Sequence, residues 1–230
     1  MTSPLAETNL HWQIPVAHWA NWTAGIGDSA SPDVAFVDAM TRRRLSRLAK
    51  MALKVAHDCS PENEKVRVVF ASRHGELTRT VNMLDDLAQN QPLSPTAFSQ
   101  SVLNASAGLF SILRGDTSEA TAISAADSSF GFGLLEAALQ YANNPSSRVL
   151  FIYADEPAPS IYGEEAMTGP AHALAILLGN ESRFDLECGM AADSDTDTDA
   201  PHSLVFLESL VSGASGKWHG EGRCWTWKAR

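Results

Sequence analysis

Apolar positions along the chain recur in two rhythms, one helical and one of short continuous runs. From Thr41 to about His57, Leu45, Leu48, Ala52, Leu53 and Ala56 form one helical stripe, and Arg42, Arg43, Arg47 and Lys50 fall mostly off it. Ser60-Pro61-Glu62-Asn63 ends that helix. VRVVFA (Val66 to Ala71) is short and β-branched and predicts a buried strand. Glu76 to Gln89 returns to helical spacing, with Leu77, Val81, Leu84 and Leu87 on one face. Ser101 to Leu113 predicts a third helix. Its small residues permit close backbone approach, which suits a central position. A second strand is expected over Glu119 to Ser124 and a fourth helix over Phe130 to Ala142, stopped by Asn143-Asn144-Pro145. Arg148 to Tyr153 and His172 to Leu178 read as further strands, His202 to Ser212 as a short helix and CWTWKAR as a last strand. The opening, with Trp12, Trp19 and Trp22, has no clean period and predicts one short strand followed by irregular chain. Strands alternating with helices of this length imply a mostly parallel sheet covered on both faces.

Composition narrows the function classes. The 230 residues, 44% of them hydrophobic, suit one sizeable core and a single domain over 1–230. With 17 Lys and Arg against 27 Asp and Glu, the formal charge of -10 argues against a nucleic-acid partner, which needs a basic face. No apolar run is long enough for membrane insertion, and MTSPLAETNLHWQ has neither the basic nor the apolar region of a secretory signal. Cys59, Cys188 and Cys224 are far apart and lack metal-ligand spacing, as free thiols in a cytoplasmic protein would be.

Several motifs fail on their surroundings. Gly25-Ile26-Gly27-Asp28-Ser29-Ala30 matches a dinucleotide fingerprint, but Trp22-Thr23 and Ser31-Pro32 flank it where a strand and a helix are required, so a surface turn is expected. Asp193, Asp195, Asp197 and Asp199 alternate like the start of a calcium loop. Thr198 and Leu204 stand where that loop needs Gly and Glu, so Ala191 to Ala200 is expected to be a solvated acidic loop. His74 sits at a strand exit, a place that suits function in α/β sheets, although a lone His there is more often structural. No metal or other cofactor is implied.

Three stretches in the right order carry a resemblance. They are VVFASRHGEL (68–77), LSPTAFSQSVLNASAGLFSI (93–112) and AISAADSSFGFGLLEAAL (122–139), followed by RVLFIYADEP (148–157). Together they resemble the N-terminal half of β-ketoacyl synthases, members of the thiolase superfamily. The Trp-rich start, the Arg-rich segment 42–47 and the FASRHGEL turn are similar to the short synthase-like subunits of bacterial aryl polyene systems. The resemblance implies an α/β, thiolase-like half-fold, a layered structure with a mixed, mostly parallel sheet covered by helices.

The departures from the family bear on function. Family enzymes attack an acyl thioester with a Cys at the N-terminus of a buried helix, where the helix dipole lowers the thiol pKa. Two histidines of the second half stabilise the enolate oxygen. Counting back from Gly133, the nucleophile position falls on Ala125, whose methyl group cannot form a thioester; the second-half histidines have no counterpart. The resemblance therefore implies a non-catalytic subunit that pairs with a full-length β-ketoacyl synthase. The expected interface is the strand Glu119, Ala120, Thr121, Ala122, Ile123 and Ser124. In chain-length-factor subunits the helix after the first Gly-rich turn sets tunnel depth, which points here to Glu76, Arg79 and Met83. An acyl carrier protein is a further partner, met directly at Arg42–Arg44 and Arg47 or through the synthase; a solvated basic helix face is the alternative. The enzymatic alternative is a small acyltransferase or thioester hydrolase using Ser124, Ser128 or His74, and the structural alternative is a scaffold that never touches the tunnel.

Overall fold

In a computed structural model of the chain, the structure describes residues 9–25, 27–62, 64–163, 169–179, 183–192 and 195–230. Ile26, Asn63, Asp193 and the first eight residues, which entered the readings above, lie outside the described residues. Among the described residues, nine strands form two sheets. A five-stranded sheet has the order β2 (Val16–Thr23), β6 (His172–Leu178), β5 (Val149–Asp155), β3 (Arg67–Ala71), β4 (Ala120–Ile123). A four-stranded sheet has the order β1 (Leu10–Ile14), β7 (Phe184–Met190), β9 (Arg223–Ala229), β8 (Gly216–Gly220).

The thiolase-like α/β architecture is as expected, and two features differ from the sequence reading. The five-stranded sheet is mixed in equal parts: β5, β3 and β4 pair in parallel, whereas β2, β6 and β5 pair antiparallel. The second sheet is antiparallel throughout and was not anticipated. The Trp-rich opening supplies a strand to each sheet, because buried Pro15 separates β1 from β2 where the chain crosses between them.

Alternation along the strands divides the core. Val68, Phe70, Leu150, Ile152, Ala173, Ala175 and Leu177 face helix α2 (Arg47–Cys59) and helix α5 (Ala105–Arg114). Val69, Ala71, Phe151, Tyr153, Leu174 and Ile176 face helix α6 (Ser129–Asn143) and helix α7 (His202–Ser212). The second sheet closes over α6 and α7 with Trp12, Trp218, Trp225 and Trp227. Every strand residue is buried in β3, β5 and β6, as their unbroken apolar runs require.

Helix boundaries follow caps more than periodicity. The helix expected from Thr41 begins at Arg47, where Ser46 caps it by accepting from the Ala49 N–H at 2.9 Å. Arg42 instead closes a one-turn helix, α1 (Ala39–Arg42), capped by Asp38. The Glu76 segment forms α3 (Leu77–Ala88), and Ser94-Pro95 starts the unanticipated α4 (Pro95–Ser99). Helix α5 starts four residues later than expected and is peripheral: Ser106, Ala107 and Phe110 are buried while Ile112 is 77% exposed.

Two glycines let α6 be gripped from both sides. A Cβ at Gly131 would lie 2.6 Å from Trp225 of the second sheet, and one at Gly133 would lie 2.7 Å from Ala71 and Phe151 of the first. Gly133→Ala is expected to destabilise the protein by about 1–2 kcal/mol, because overpacking outweighs the helix-propensity gain. Gly108→Ala on α5 meets nothing within 4 Å and is expected to stabilise by up to ~1 kcal/mol. Urea midpoints of the two variants check the opposite signs.

Candidate functional site

The parallel strand β4 leads into α6 through a sharp elbow at Ser124 to Ser128. Ser129 builds it: its hydroxyl accepts from the Ala125 N–H at 2.8 Å and donates to the Ala126 carbonyl at 2.6 Å. Ala126 is held at φ 44°, a left-handed conformation uncommon for a residue with a Cβ. Arg73, from the turn after β3, pairs with Asp127 at 2.8 Å. The Glu221 carboxylate, from the β8–β9 turn, accepts from the N–H groups of Asp127 and Ser128 at 3.1 and 3.2 Å.

Beside the elbow, at the ends of β3, β5 and β6, lies a polar cavity of about 210 Å³ lined by Arg73, Asp127, Tyr153, Asp155, His172 and His202, among others. Burial pushes the Asp155 carboxyl up to about 7, against the opposing pull of the His74 N–H at 3.1 Å, the Ser72 hydroxyl at 3.2 Å and Arg73. Burial alone drives His202 down to about 3; its ring stacks on Trp218 at 4.6 Å. His172 is lowered by burial, and its ring bridges the Pro170 carbonyl at 2.9 Å and the Ser203 hydroxyl at 2.6 Å. Ser203 and His172 have the spacing of a nucleophile and its base, but they are only 1% and 4% exposed, which suits a sealed structural bond.

The other proposed nucleophiles are not assembled with a base. The Ser124 hydroxyl donates to the Arg73 carbonyl at 3.1 Å. The Ser128 hydroxyl is buried and has no hydrogen-bond partner. His74 reaches Asp155 through its backbone N–H, and burial followed by Arg73 lowers its ring pKa. Among the described residues, no three His, Cys, Asp or Glu side chains converge as metal ligands, and all three cysteines are free.

The expected interface strand is an edge. Glu119 and Ala120 are exposed, Thr121, Ala122 and Ile123 are half-buried and Ser124 is exposed, with β3 on one side only. Sequence reasoning missed the face beside it. Helix α3 has no buried residue, and Leu84, Leu87, Leu93, Phe98, Val102, Ile112 and Leu113 are all exposed. Single exposed apolar residues are ordinary, and these seven fall within thirty residues of sequence on α3, α4, α5 and the turns between them.

The three tunnel candidates fare differently. Glu76 is buried, accepting from Ser46 Oγ at 2.7 Å and from Arg79 Nε at 3.0 Å, and so ties α2 to α3. Arg79 also donates to the Arg44 carbonyl at 3.2 Å. Met83, one turn further along α3, is half-buried. Arg44, Arg47 and Arg79 line a cleft of about 740 Å³ with Thr78, Asn82 and Glu156. Arg42 and Arg43 do not line it. Arg47 donates to the carbonyls of Asp28 and Ala30, pinning that stretch of chain to the start of α2.

The family described as β-ketoacyl synthase, N-terminal domain, matches residues 17–228. The chain belongs to that family. Among solved structures, the ketosynthase-like chain resembles a chain of the ketosynthase ApeO in complex with its chain length factor ApeC from Xenorhabdus doucetiae. That match has 28% identity and a TM-score of 0.79, and covers 95% of this chain and 99% of that one. The ishigamide ketosynthase/chain length factor matches at 15% identity and TM-score 0.58, over 87% of this chain and 73% of that one. A type II polyketide complex of an acyl-carrier protein with its ketosynthase matches at 15% identity and TM-score 0.52, over 71% and 59%. The last two likenesses establish the fold. A search of curated proteins finds no match. Among the described residues, no helix of this ketosynthase-like chain is long and apolar enough to cross a membrane.

Proposed function

We propose that this ketosynthase-like chain is a non-catalytic, chain-length-factor-like subunit. It pairs with a full-length β-ketoacyl synthase, stabilises it and shapes its acyl tunnel in type II fatty-acid or polyketide synthesis of the aryl polyene kind. The observation that carries this reading is the elbow. The β4–α6 turn is kept, yet Ala125 and Ala126 present methyl groups where the family needs a thiol. The count from Gly133 points to Ala125, and the left-handed apex of the turn is Ala126; either register leaves no nucleophile. Pairing draws support from the β4 edge and from the exposed apolar side chains of α3, α4 and α5, a surface a partner must cover. The likeness to a chain of a ketosynthase–chain length factor complex points to the same kind of partner. The exposed Arg43 and Arg44 suit an acidic acyl carrier protein.

Co-expression with a full-length β-ketoacyl synthase of the same organism tests the reading. A one-to-one heterodimer is expected, with poor solubility or a makeshift homodimer when the chain is made alone. A stable monomer that ignores the synthase would reject it. Stand-alone turnover of acyl thioesters would favour the hydrolase or acyltransferase alternative.

Met83 is the tunnel candidate whose side chain is not already engaged in a polar bond. Flexible and apolar, it suits an irregular pocket end. Met83→Ala is expected to lengthen the reconstituted synthase's product and Met83→Trp to shorten it, with the complex intact. Product masses from the two complexes are the measurement. Unchanged products from both would favour a scaffold that does not touch the tunnel.

A further inference from the structure

The N-terminal pole of α6 is filled by a residue more than ninety positions away in sequence. Helix α6 runs for 15 residues, and its N-cap, Ser128, makes no side-chain capping bond. The first N–H groups of such a helix carry partial positive charge and need acceptors. Glu221 places one carboxylate oxygen on the Asp127 N–H, one residue before the cap, and the other on the Ser128 N–H, which it shares with the Ala125 carbonyl at 3.0 Å. The carboxylate comes from Gly220-Glu221-Gly222 at the tip of the β8–β9 hairpin, where Glu221 itself is held at φ 53°. A second polar group waits at the same pole. Ser128 is 2% exposed, and its hydroxyl has no hydrogen-bond partner. Arg73 fixes the rim through Asp127.

We propose that the pole of α6 is a carboxylate-binding site that the chain fills with its own Glu221, and that this contact closes the elbow to acyl groups. An empty helix pole lowers the pKa of a neighbouring thiol and offers N–H donors to an oxyanion. A carboxylate seated there occupies the Asp127 and Ser128 N–H groups and disfavours a second negative charge beside it. The elbow is thus closed to acyl transfer twice over, by the methyl at its apex and by the hairpin tip. The proposal rests on the reading of the β4–α6 turn as the family's elbow. It does not involve the partner, so its failure would leave the pairing intact.

The test places a reporter thiol at the apex. Ala126→Cys is compared with Ala126→Cys/Glu221→Gln and Ala126→Cys/Glu221→Ala by iodoacetamide labelling against pH. Peptide mass spectrometry separates the reporter from Cys59, Cys188 and Cys224. With Glu221 present, labelling is expected to be slow at pH 7. Both double variants are expected to bring the titration midpoint down by about one pH unit, with roughly tenfold faster labelling at pH 7. Acetate is expected to slow labelling of the Glu221→Ala form and not of the parent, because only the vacated pole can take a free carboxylate. A midpoint and rate unchanged by either Glu221 substitution would overturn the proposal. Amide exchange in Glu221→Ala alone needs no cysteine. The Asp127 amide is expected to lose protection while β5 amides, and the Ser128 amide held also by the Ala125 carbonyl, keep theirs, and undiminished protection at Asp127 would also overturn it.

Discussion

Phe98→Asp combined with Ile112→Asp is expected to leave this chain folded and to strip it from its synthase during co-purification. Phe98 and Ile112 are 67% and 77% exposed, so neither substitution opens a cavity. Surface changes of this kind stay within about 0.5 kcal/mol of the parent's stability. The cost appears on binding. A carboxylate carried into an apolar interface loses its water without gaining a partner, at several kcal/mol. Two such groups amount to at least a hundredfold in affinity, since each 1.4 kcal/mol is about a factor of ten. Val211→Asp on α7 serves as the control, because Val211 is equally exposed, at 68%, but lies far along the chain from β4, on a helix that packs under the second sheet. If the double variant co-elutes with the synthase as the parent does, the docking surface lies elsewhere and the exposed side chains of α3 to α5 have another partner.

That surface was half-legible in the sequence. Leu77, Val81, Leu84 and Leu87 identify α3 as amphipathic, and periodicity correctly predicts one apolar face. It does not say what covers the face. Leu77 and Val81 lean on the body of the protein while Leu84 and Leu87 are left in solvent. The small residues of Ser101 to Leu113 misled for a related reason. Ser106 and Ala107 bring α5 close to the sheet, but one close face does not make a helix central. The continuous runs VRVVFA, RVLFIY and HALAILL were clear because a strand buried on both faces leaves no polar positions.

The second sheet was hidden by distance. Strand β7 alternates inward Phe184, Leu186 and Cys188 with half-buried or exposed neighbours, a period of two that the sequence carried. Its partners, β1 and β9, come from opposite ends of the chain, so no local pattern announces the sheet. The elbow divides similarly. A methyl at its apex can be read by counting from Gly133. Glu221 on the α6 pole cannot, because nothing within Gly220-Glu221-Gly222 marks it as more than a turn. Asp155 was also missed, since its importance comes from burial among residues of β3, β6 and α7.

Asp155→Asn is expected to stabilise the protein at pH 8 by about 2–4 kcal/mol and to leave it nearly unchanged at pH 4. Burial raises the Asp155 carboxyl from its ordinary 3.8 to about 7. A raised acid holds its proton in the folded chain after the unfolded chain has released it. Its contribution is therefore complete below about pH 4 and is lost as pH rises through 7. His202 works in the opposite sense. Its pKa falls from 6.5 to about 3, so its contribution is complete above 6.5 and is lost as pH falls towards 3. His172, lowered by the same cause, adds to that slope. Between pH 4 and 6.5 the carboxyl and the imidazoles oppose each other, and the parent's stability should vary little. The amide of Asn keeps an oxygen to accept from the Ser72 hydroxyl and the His74 N–H, so the local bonds survive. What disappears is the cost of ionising a group that is 8% exposed. The variant's stability should then climb steadily from pH 4 to 6.5, driven by the histidines alone. Urea titrations of parent and variant at pH 4, 5.5 and 8 measure this directly. An equal shift at all three values would mean that Asp155 is ionised throughout, and that the elbow-side cavity holds a fixed negative charge instead of a neutral acid.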